Sequence, residues 1–353
     1  MHFFLNLKMT INQKFFKKSK SLNVDKFFDI VMYDKKIGYY SKKNPFNFDG
    51  DYVTAPNISP LFSEIVAIWI ILTWEKLDKP NKINIVELGP GNGKMTKMLC
   101  RTFQNFPDFE NKYNMLLYEK SDFLKKIQKK EVSKFKVKWI NSLKEISKYP
   151  VIFVGNEFVD AIPIKQFIKK KGIFYEKYFF LKKDKIEEKY KKTNYATIKL
   201  LKKFKSIKNN RFIEFPLMAF KELEKITDLI FKQKGAILLI DYGYIKSNNE
   251  NTLQSVRKHK FNDLLKNLGD SDVTSLVNFK LIKEYIKKKK IKVGKIITQS
   301  QFLKKNGIME RAEIISKKMN FSEKSDLYYR IKRLTGQQQM GELFKVIEAI
   351  KKV

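Results

Sequence analysis

The stretch Ile85-Val86-Glu87-Leu88-Gly89-Pro90-Gly91-Asn92-Gly93 decides the fold that we expect for this chain. An apolar run ends in three alternating glycines, and a helical pattern follows. Gly89 and Gly91 let the backbone approach a ligand without an obstructing Cβ atom, and Gly93 permits close packing of the helix on the strand. The stretch therefore predicts a buried strand, a ligand-binding turn and a helix whose first amides face the ligand.

Apolar runs on both sides of this turn alternate with helical patterns. They predict buried parallel strands at 83–88, 114–119, 136–140, 151–155 and 236–241. This alternation is typical of an α/β fold with helices on both faces of the sheet, in which ligands bind beyond the carboxyl ends of the strands. The E-x-G-x-G-x-G spacing differs from the G-x-G-x-x-G spacing of dinucleotide-binding folds. It resembles the first motif of class I methyltransferases, which bind S-adenosylmethionine on a Rossmann-like, mostly parallel seven-stranded sheet.

The pattern divides the chain into four parts. Residues 1–80 are expected to be an N-terminal helical and loop region that contacts substrate, with a Gly- and Pro-containing loop at 39–60. Residues 81–163 form the first part of the cofactor-binding core. Lys-rich alternating runs predict an inserted antiparallel subdomain at 164–234. Residues 235–353 complete the core, with a lid loop at 243–275, a helix near 276–289, a strand near 295–298 and a last strand at 343–350.

The net charge of +36 would favour nucleic acid or an anionic membrane as a partner. However, only six of the 73 basic residues are arginine, and phosphate and base recognition favour the arginine fork. The lysines are scattered and are not interleaved with stacking aromatics. We interpret the excess as compositional drift over solvated faces, so a nucleic-acid partner is not expected.

Cysteine and histidine are too few for several kinds of site. The chain has one cysteine, Cys100, and two histidines, His2 and His259, which excludes an internal disulfide or a Cys/His zinc site. No metal ion is expected. The longest apolar run, 65–74, is too short to span a bilayer, and residues 1–20 lack the pattern of a secretory signal. We expect a cytoplasmic enzyme, or a mitochondrial matrix enzyme if the chain is eukaryotic.

Polar side chains follow three of the predicted strands where each strand ends. Glu119 can accept hydrogen bonds from both ribose hydroxyls of the cofactor, and Asn141 is placed to contact the adenine. Asn156, Glu157 and Asp160 follow a very apolar strand, at the usual position of the methyl acceptor. Carboxylates there can hold a cationic substrate and help to remove its proton. Helix capping by Asp160 and backbone contacts of Asn156 and Glu157 are the structural alternative.

Several further stretches resemble one family, the MidA-like methyltransferases, which include a mitochondrial complex I assembly factor of the arginine-methyltransferase type. The resemblance covers residues 20–350. It is carried by GDYVTAPNIS (50–59), FSE (62–64), VELGPGNG (86–93), NEFVDAIP (156–163), LIDYGY (239–244), TLQSVRKHK (252–260), GDSDVT (269–274), TQSQFL (298–303) and MGELFKV (340–346).

The resemblance implies S-adenosylmethionine as cofactor, bound by Thr54, Glu87, Gly89, Gly91, Gly93, Glu119, Asn141 and Asn156. It further implies symmetric methylation of an arginine on a core subunit of respiratory complex I. The guanidinium is always protonated in water, so the site needs carboxylates to orient it. The candidates are Glu64, Glu157, Asp160 and Asp241, with Glu157 first, and His259 is a further candidate base or lid residue.

The chain departs from the family pattern at a few positions. Asn57 stands where the family usually has Glu, Asn92 where it often has Arg, and Ser63 where it often has Gly; Gln337 and Gln338 replace a pair such as Pro-Asp. The change at Asn57 removes a carboxylate that could act in acceptor binding. Three alternatives stay open: a small-molecule or lipid methyltransferase, a non-catalytic assembly chaperone that keeps the cofactor pocket, and a nucleic-acid methyltransferase with salt-dependent affinity.

Overall fold

The computed structural model describes residues 10–17, 19–42, 53–246 and 249–352. Its helices are α1 (Ile11–Phe15), α2 (Val24–Tyr33), α3 (Tyr39–Lys42), α4 (Ala55–Ile58), α5 (Pro60–Lys76), α6 (Lys94–Phe103), α7 (Pro107–Glu110), α8 (Asp122–Glu131), α9 (Tyr195–Leu201), α10 (Leu217–Gln233), α11 (Phe279–Lys287), α12 (Gln299–Lys305), α13 (Ile308–Ser316), α14 (Phe321–Thr335) and α15 (Met340–Leu343). Among the described residues, no helix is both long and apolar enough to cross a membrane.

The strands follow the same chain order. They are β1 (Ser21–Asn23), β2 (Ile83–Leu88), β3 (Tyr113–Tyr118), β4 (Val137–Ile140), β5 (Val151–Asn156), β6 (Lys165–Lys170), β7 (Ile173–Lys182), β8 (Lys185–Lys192), β9 (Phe212–Phe215), β10 (Gly235–Tyr244), β11 (Gln254–Arg257), β12 (Lys260–Asn262), β13 (Asp272–Thr274), β14 (Val277–Asn278), β15 (Lys292–Val293), β16 (Ile297–Thr298) and β17 (Phe344–Lys351). Each strand predicted for the core has a counterpart within a few residues of the expected bounds.

The main sheet has the strand order β15-β17-β10-β5-β2-β3-β4, with β14 paired to β10 and β16 paired to β17. Strands β4, β3, β2, β5 and β10 are parallel to their neighbours, whereas β17 is antiparallel to β10. This confirms the expected mostly parallel seven-stranded arrangement. The strand order reverses beside β2, where β3 lies on one side and β5 on the other. A ligand site is expected beyond the carboxyl ends of these strands.

Helices cover both faces of the main sheet. One face packs on α5, α6 and α12 to α14, and the other on α10 and α11. All six residues of β2 are buried, as expected for a central parallel strand with both faces covered. The strand is therefore apolar at every position except Asn84 and Glu87. These two buried polar side chains have hydrogen-bond partners.

The inserted subdomain is antiparallel, as predicted, but its bounds differ from 164–234. Its sheet has the order β1-β7-β6-β9, with β8 on β7. The helix α10 packs on β5, β10 and β17 of the main sheet, so it belongs to the core and the insertion ends before it. Strand β1 pairs with β7, because Leu22 fills the same apolar cluster as Phe179. The N-terminal region is therefore not only helix and loop.

The segment 243–275, predicted as a lid loop, is largely folded. Its strands β11, β12 and β13 form a small antiparallel sheet in the order β12-β11-β13. Leu253, Leu268 and Val273 pack against Phe28 and Met32 of α2 in one apolar cluster. The burial of these side chains holds the segment against the N-terminal region, so it contains strands and is not only a loop; its role as a lid stays a prediction.

Candidate functional site

The glycine turn after β2 has the conformation that its sequence predicts. Gly89, Gly91 and Gly93 have φ angles of 64°, 56° and 84°, in the left-handed region that favours glycine. The amide of Gly89 donates to the carbonyl of Tyr118 over 3.1 Å, and Gly93 is the N-cap of α6. Gly89 and Gly91 line a cavity of about 530 Å³ at the carboxyl ends of the strands. Pockets of this size suit a small-molecule ligand.

Glu119, predicted to hold the ribose, lies at the wall of this cavity. Its Oε1 accepts from the backbone amide of Ser121 over 2.8 Å, and its Oε2 accepts from Nε2 of Gln128 over 3.0 Å. Burial raises the pKa of Glu119, and hydrogen bonds from Ser121, Gln128 and the Lys120 amide, with the charge of Lys125, oppose the rise. A carboxylate has about four acceptor positions, so one is left for a ligand. The geometry therefore suits a ligand hydroxyl group at the cavity wall.

Glu87 is a different case, because it does not line the cavity. Its side chain is only 2% exposed and accepts a short hydrogen bond from Oγ1 of Thr96 in α6. Burial raises the pKa of Glu87 to about 8. Its contacts tie the end of β2 to the helix after the glycine turn, so it supports the turn from behind.

Three carboxyl groups lie together next to the ends of β5 and β10. Glu157 lines the cavity, and Asp160 and Asp241 are 7% and 1% exposed. Burial and the nearby charge of Asp160 raise the pKa of Glu157 to about 8. Burial raises the pKa of Asp160 to about 7, and burial and Asp160 raise that of Asp241 well above its usual value. Within the described residues, no lysine or arginine is among the charges that act on these three pKa values.

Backbone contacts fix the turn that carries these groups. Glu157 has a φ of 52°, and its amide donates to the carbonyl of Ile240 over 2.9 Å. Oδ2 of Asp241 accepts from the amides of Val159 and Asp160 over 2.8 and 3.2 Å. Oδ1 of Asp241 has no hydrogen-bond partner in the part of the chain that the structure describes. Asp241 therefore acts mainly by holding the turn.

Asn156 connects with Glu157 and lies just behind the cavity wall. Its Nδ2 donates to Oε1 of Glu157 over 2.9 Å. Its Oδ1 is buried, and among residues 10–17, 19–42, 53–246 and 249–352 it finds no hydrogen-bond partner. A buried acceptor without a partner costs free energy, so this atom is available to a ligand donor.

Thr54 caps α4 and does not line the cavity. Asn57 donates to Oγ1 of Thr54 over 2.8 Å, and Asn92 of the glycine turn donates to Oδ1 of Asn57 over 3.0 Å. The amide of Ala55 donates to the Glu157 carboxylate and so lowers its pKa, against the effect of burial. The start of α4 thus joins the glycine turn to the carboxylate cluster. Residues 50–52 of the same motif, and His2, lie outside the described residues.

The structure does not bring three of the predicted site residues to the cavity. Oε2 of Glu64 accepts from Nε of Arg311 over 2.7 Å in a separate groove between helices. Asn141 is exposed and accepts from Nζ of Lys125 over 2.8 Å. His259 lies exposed at the turn between β11 and β12, with a φ of 61°. Glu64 and Asn141 have their contacts outside the cavity, and His259 does not line it, so the roles predicted for these three residues stay predictions.

Sequence reasoning missed an aromatic wall of the cavity. Tyr33 and Tyr40 stack with their ring centroids 5.4 Å apart, and both line the cavity. The hydroxyl of Tyr33 donates to the carbonyl of Ala161 over 2.6 Å. Burial raises the pKa of both tyrosines well above the usual value, with Asp272 and Asp160 adding to the rise. No local motif marks them, since their partners are far away in sequence.

Comparisons with known proteins agree with this geometry. A family model described as "Putative S-adenosyl-L-methionine-dependent methyltransferase" matches residues 65–297. A Xenopus tropicalis protein named "Protein arginine methyltransferase NDUFAF7, mitochondrial" is 26% identical, over 95% of this chain and 83% of its own. The Homo sapiens protein of the same name is 25% identical, over 93% and 80%.

Solved structures show the same fold. A Burkholderia thailandensis protein bound to S-adenosyl-homocysteine has a TM-score of 0.78 at 20% identity, covering 94% of this chain and 88% of its own. A second, native crystal structure of a Burkholderia thailandensis protein has a TM-score of 0.79 at 22% identity, with the same coverage. At these identities the likeness supports the fold alone.

Proposed function

Because this chain belongs to the family of S-adenosyl-L-methionine-dependent methyltransferases, we propose that its methyl acceptor is the guanidinium group of an arginine side chain in a protein. The methyltransferase activity and the cofactor follow from the family. The acceptor is the proposed part. The observation that carries it is the group of three buried carboxyl groups, Glu157, Asp160 and Asp241, with no basic partner among the described residues.

Buried like charges are unfavourable unless a proton or a cation compensates them. Without acceptor, the raised pKa values of Glu157 and Asp160 favour their protonated forms. A guanidinium cation would replace those protons and ionise the carboxyl groups. Its planar fork can donate two parallel hydrogen bonds to one carboxylate, and its face can stack on a tyrosine ring. Tyr33 and Tyr40 offer such rings in the same cavity.

The charge of the cavity contrasts with that of the chain. The chain carries a net charge of +36, yet among the residues that the structure describes, five acidic and two basic residues line the cavity. The acidic residues are Asp29, Glu119, Asp122, Glu157 and Glu222, and the basic ones are Lys35 and Lys120. A cavity lined by one sign of charge concentrates ligands of the opposite sign. This favours a cationic acceptor over a phosphate-bearing one.

The residues of the chain fit the cofactor. Gly89 and Gly91 line the cavity with left-handed φ angles that favour glycine, and Glu119 at the cavity wall can accept a hydrogen bond from a ribose hydroxyl. When bound there, S-adenosylmethionine supplies an electrophilic methyl group on sulfur. Glu157 orients the acceptor nitrogen and takes its proton as the bond from nitrogen to the methyl carbon forms and the carbon–sulfur bond breaks. A pKa near neutrality suits Glu157 to that exchange.

The test uses labelled S-adenosylmethionine and matched peptides that differ only in carrying arginine, lysine or glutamine at the central position. We expect label on the arginine peptide, located by mass spectrometry. Glu157→Gln should slow transfer by about 10²- to 10⁴-fold, the usual contribution of a general base, while cofactor affinity stays within twofold. Glu64→Gln is the matched control, because Glu64 pairs with Arg311 outside the cavity, and it should keep the wild-type rate.

The outcomes separate the alternatives. Label on lysine only, or on small molecules only, would contradict the arginine acceptor. Cofactor binding without transfer to any acceptor protein would favour a non-catalytic chaperone. As the first acceptor protein to test we propose a core subunit of respiratory complex I, which the family resemblance implies. We further propose that the reaction takes place in the cytoplasm of a bacterium, or in the mitochondrial matrix if the chain is eukaryotic, as the relatives' names suggest.

A further inference from the structure

Gln128, in the middle of α8, has a fully buried side chain whose hydrogen-bonding atoms are all used. Its Nε2 donates to the carbonyl of Gly91 over 2.9 Å and to Oε2 of Glu119 over 3.0 Å. Its Oε1 accepts from Nε1 of Trp139 over 2.8 Å. A glutamine amide has two donor hydrogens, and both are assigned here. One side chain therefore ties the glycine turn to the carboxylate at the end of β3.

We propose that Gln128 is a positioning residue for the cofactor, which holds Glu119 and the glycine turn in the arrangement that grips the ribose. The proposal concerns the cofactor, so it does not depend on which acceptor the enzyme uses.

The orientation of the Gln128 amide is fixed by its partners. A rotation by 180° would turn its oxygen toward two acceptors, the Gly91 carbonyl and the Glu119 carboxylate, and its NH₂ group toward the donor of Trp139. All three contacts would then be repulsive. The three partners together therefore fix the orientation in which one amide hydrogen points at the Gly91 carbonyl and the other at Glu119.

Gln128 also determines how Glu119 can bind. Its hydrogen bond occupies one lone pair of Oε2, and the Ser121 amide occupies one of Oε1. With the backbone amide of Lys120, these neutral donors hold the carboxylate without a directly bonded cation. A lysine or arginine at position 128 would compete with the ribose for the negative charge. A neutral donor orients the carboxylate and leaves its charge for the ligand hydroxyls.

The packing behind the glycine turn gives Gln128 a second role. A Cβ atom at Gly93 would lie 3.4 Å from Cα of Gln128, which is close van der Waals contact. The helix α8 thus lies directly against the turn. Because Gln128 donates to both the Gly91 carbonyl and Glu119, movement of the glycine turn is coupled to movement of Glu119.

The experiment is calorimetric titration of the full chain with S-adenosyl-homocysteine and with its 2′,3′-dideoxy analogue. Gln128→Met keeps the length and volume of the side chain and removes its donors. We expect it to weaken S-adenosyl-homocysteine binding by about 10- to 100-fold, the usual effect of losing a hydrogen bond to a charged group. The dideoxy analogue lacks the hydroxyls that Glu119 binds, so its affinity should change by less than about threefold.

Gln299→Met is the matched control. Gln299 is also fully buried and donates from Nε2 to a backbone carbonyl, that of Leu334, over 2.9 Å, but it lies in α12 and does not line the cavity. It should lose thermal stability and keep wild-type affinity for both ligands. Equal weakening of both ligands by Gln128→Met would show a merely structural role, and unchanged affinity for S-adenosyl-homocysteine would overturn the proposal outright.

If Gln128→Met does not fold, Trp139→Phe tests the same proposal while Gln128 itself is unchanged. It leaves Oε1 of Gln128 without its donor, so the side chain is held less firmly, although the Gly91 carbonyl and Glu119 still fix the amide orientation. The affinity for S-adenosyl-homocysteine should therefore fall several-fold while that for the dideoxy analogue stays the same. No change for either ligand would overturn the proposal. Failure of the wild-type chain to bind S-adenosyl-homocysteine would instead contradict the cofactor assignment, and the arginine acceptor is tested separately by the peptides.

Discussion

Asn92 in the glycine turn donates from Nδ2 to Oδ1 of Asn57 in α4, over 3.0 Å. These are two of the positions at which the sequence departs from the pattern of the family that it resembles, which usually has Glu at position 57 and often Arg at position 92. They lie 35 residues apart in sequence and in direct contact in space. A hydrogen bond between two neutral amides therefore lies where the family pattern would place opposite charges. This hydrogen bond still connects α4 to the glycine turn.

The contact predicts that the two positions are coupled. Asn57→Glu or Asn92→Arg alone would place an unpaired charge in a half-buried contact, and each should lower the free energy of unfolding by about 1 kcal/mol. The double variant should recover most of that loss, with a coupling energy of about 0.5–3 kcal/mol in urea unfolding. If the losses in the double variant are strictly additive, a Glu–Arg ion pair at these positions does not replace the hydrogen bond between Asn57 and Asn92.

Gly91→Val should abolish cofactor binding, as measured by calorimetric titration. Gly91 has a φ of 56° and lines the cavity, so a β-branched side chain would strain the turn and fill ligand space. Gly172→Val is the matched control, because Gly172 has a φ of 78° in a hairpin turn with nothing within 4 Å of its added Cβ. Both variants should lose about 1–2 kcal/mol of stability from backbone strain. Binding that survives in Gly91→Val would place the cofactor elsewhere.

The stability of the chain without ligands should fall as pH rises from about 4.5 to about 8. Glu157 has an ordinary pKa of 4.5 and a folded pKa of about 8, so unfolding releases its proton within that window. Each released proton gives a slope of about −1.4 kcal/mol per pH unit. Below the window the group is protonated in both states, and above it in neither, so the dependence disappears.

Asp160 and Glu87 act in the same direction, with folded pKa values of about 7 and about 8. The measurement is urea unfolding at intervals between pH 5 and pH 9. Glu157→Gln should show a shallower slope than the wild type, because one releasing group is gone. A wild-type stability that rises across this range would show that the carboxyl groups are ionised in the folded chain.

Lys165→Met should destabilise the chain by about 3–5 kcal/mol, the usual cost of leaving a buried charge without its partner. Nζ of Lys165 lies 3.2 Å from Asp25 and 2.6 Å from Glu176, and all three side chains are 13% exposed or less. The group joins α2 to the inserted sheet.

Lys189→Met is the comparison for that change. Its ion pair with Glu187 is exposed to solvent, so the loss should be much smaller than that of Lys165→Met. Chemical unfolding measures both variants. Equal small losses would show that the join between α2 and the insertion does not depend on the buried group.

The sequence alone determined the main sheet and the cofactor turn, because both depend on local patterns. A central strand buried on both faces is mostly apolar, as β2 is apart from Asn84 and Glu87, and a turn with three φ angles of 56° to 84° favours glycine. The carboxylates Glu119 and Glu157 could be placed for the same reason, since each follows the end of such a strand.

Only the tertiary structure decided which polar side chains face the cavity. The sequence pattern makes Glu64 a candidate, but in the fold its carboxylate pairs with Arg311, 247 residues away and outside the cavity. Tyr33 reaches the site through a hydrogen bond to Ala161, which is 128 residues away. Gln128 occupies a helix position where a buried apolar residue would be expected, and nothing next to it in sequence shows that Gly91 and Glu119 lie within reach. The strength of a hydrogen bond or ion pair depends on distance in space, and the folded topology sets that distance.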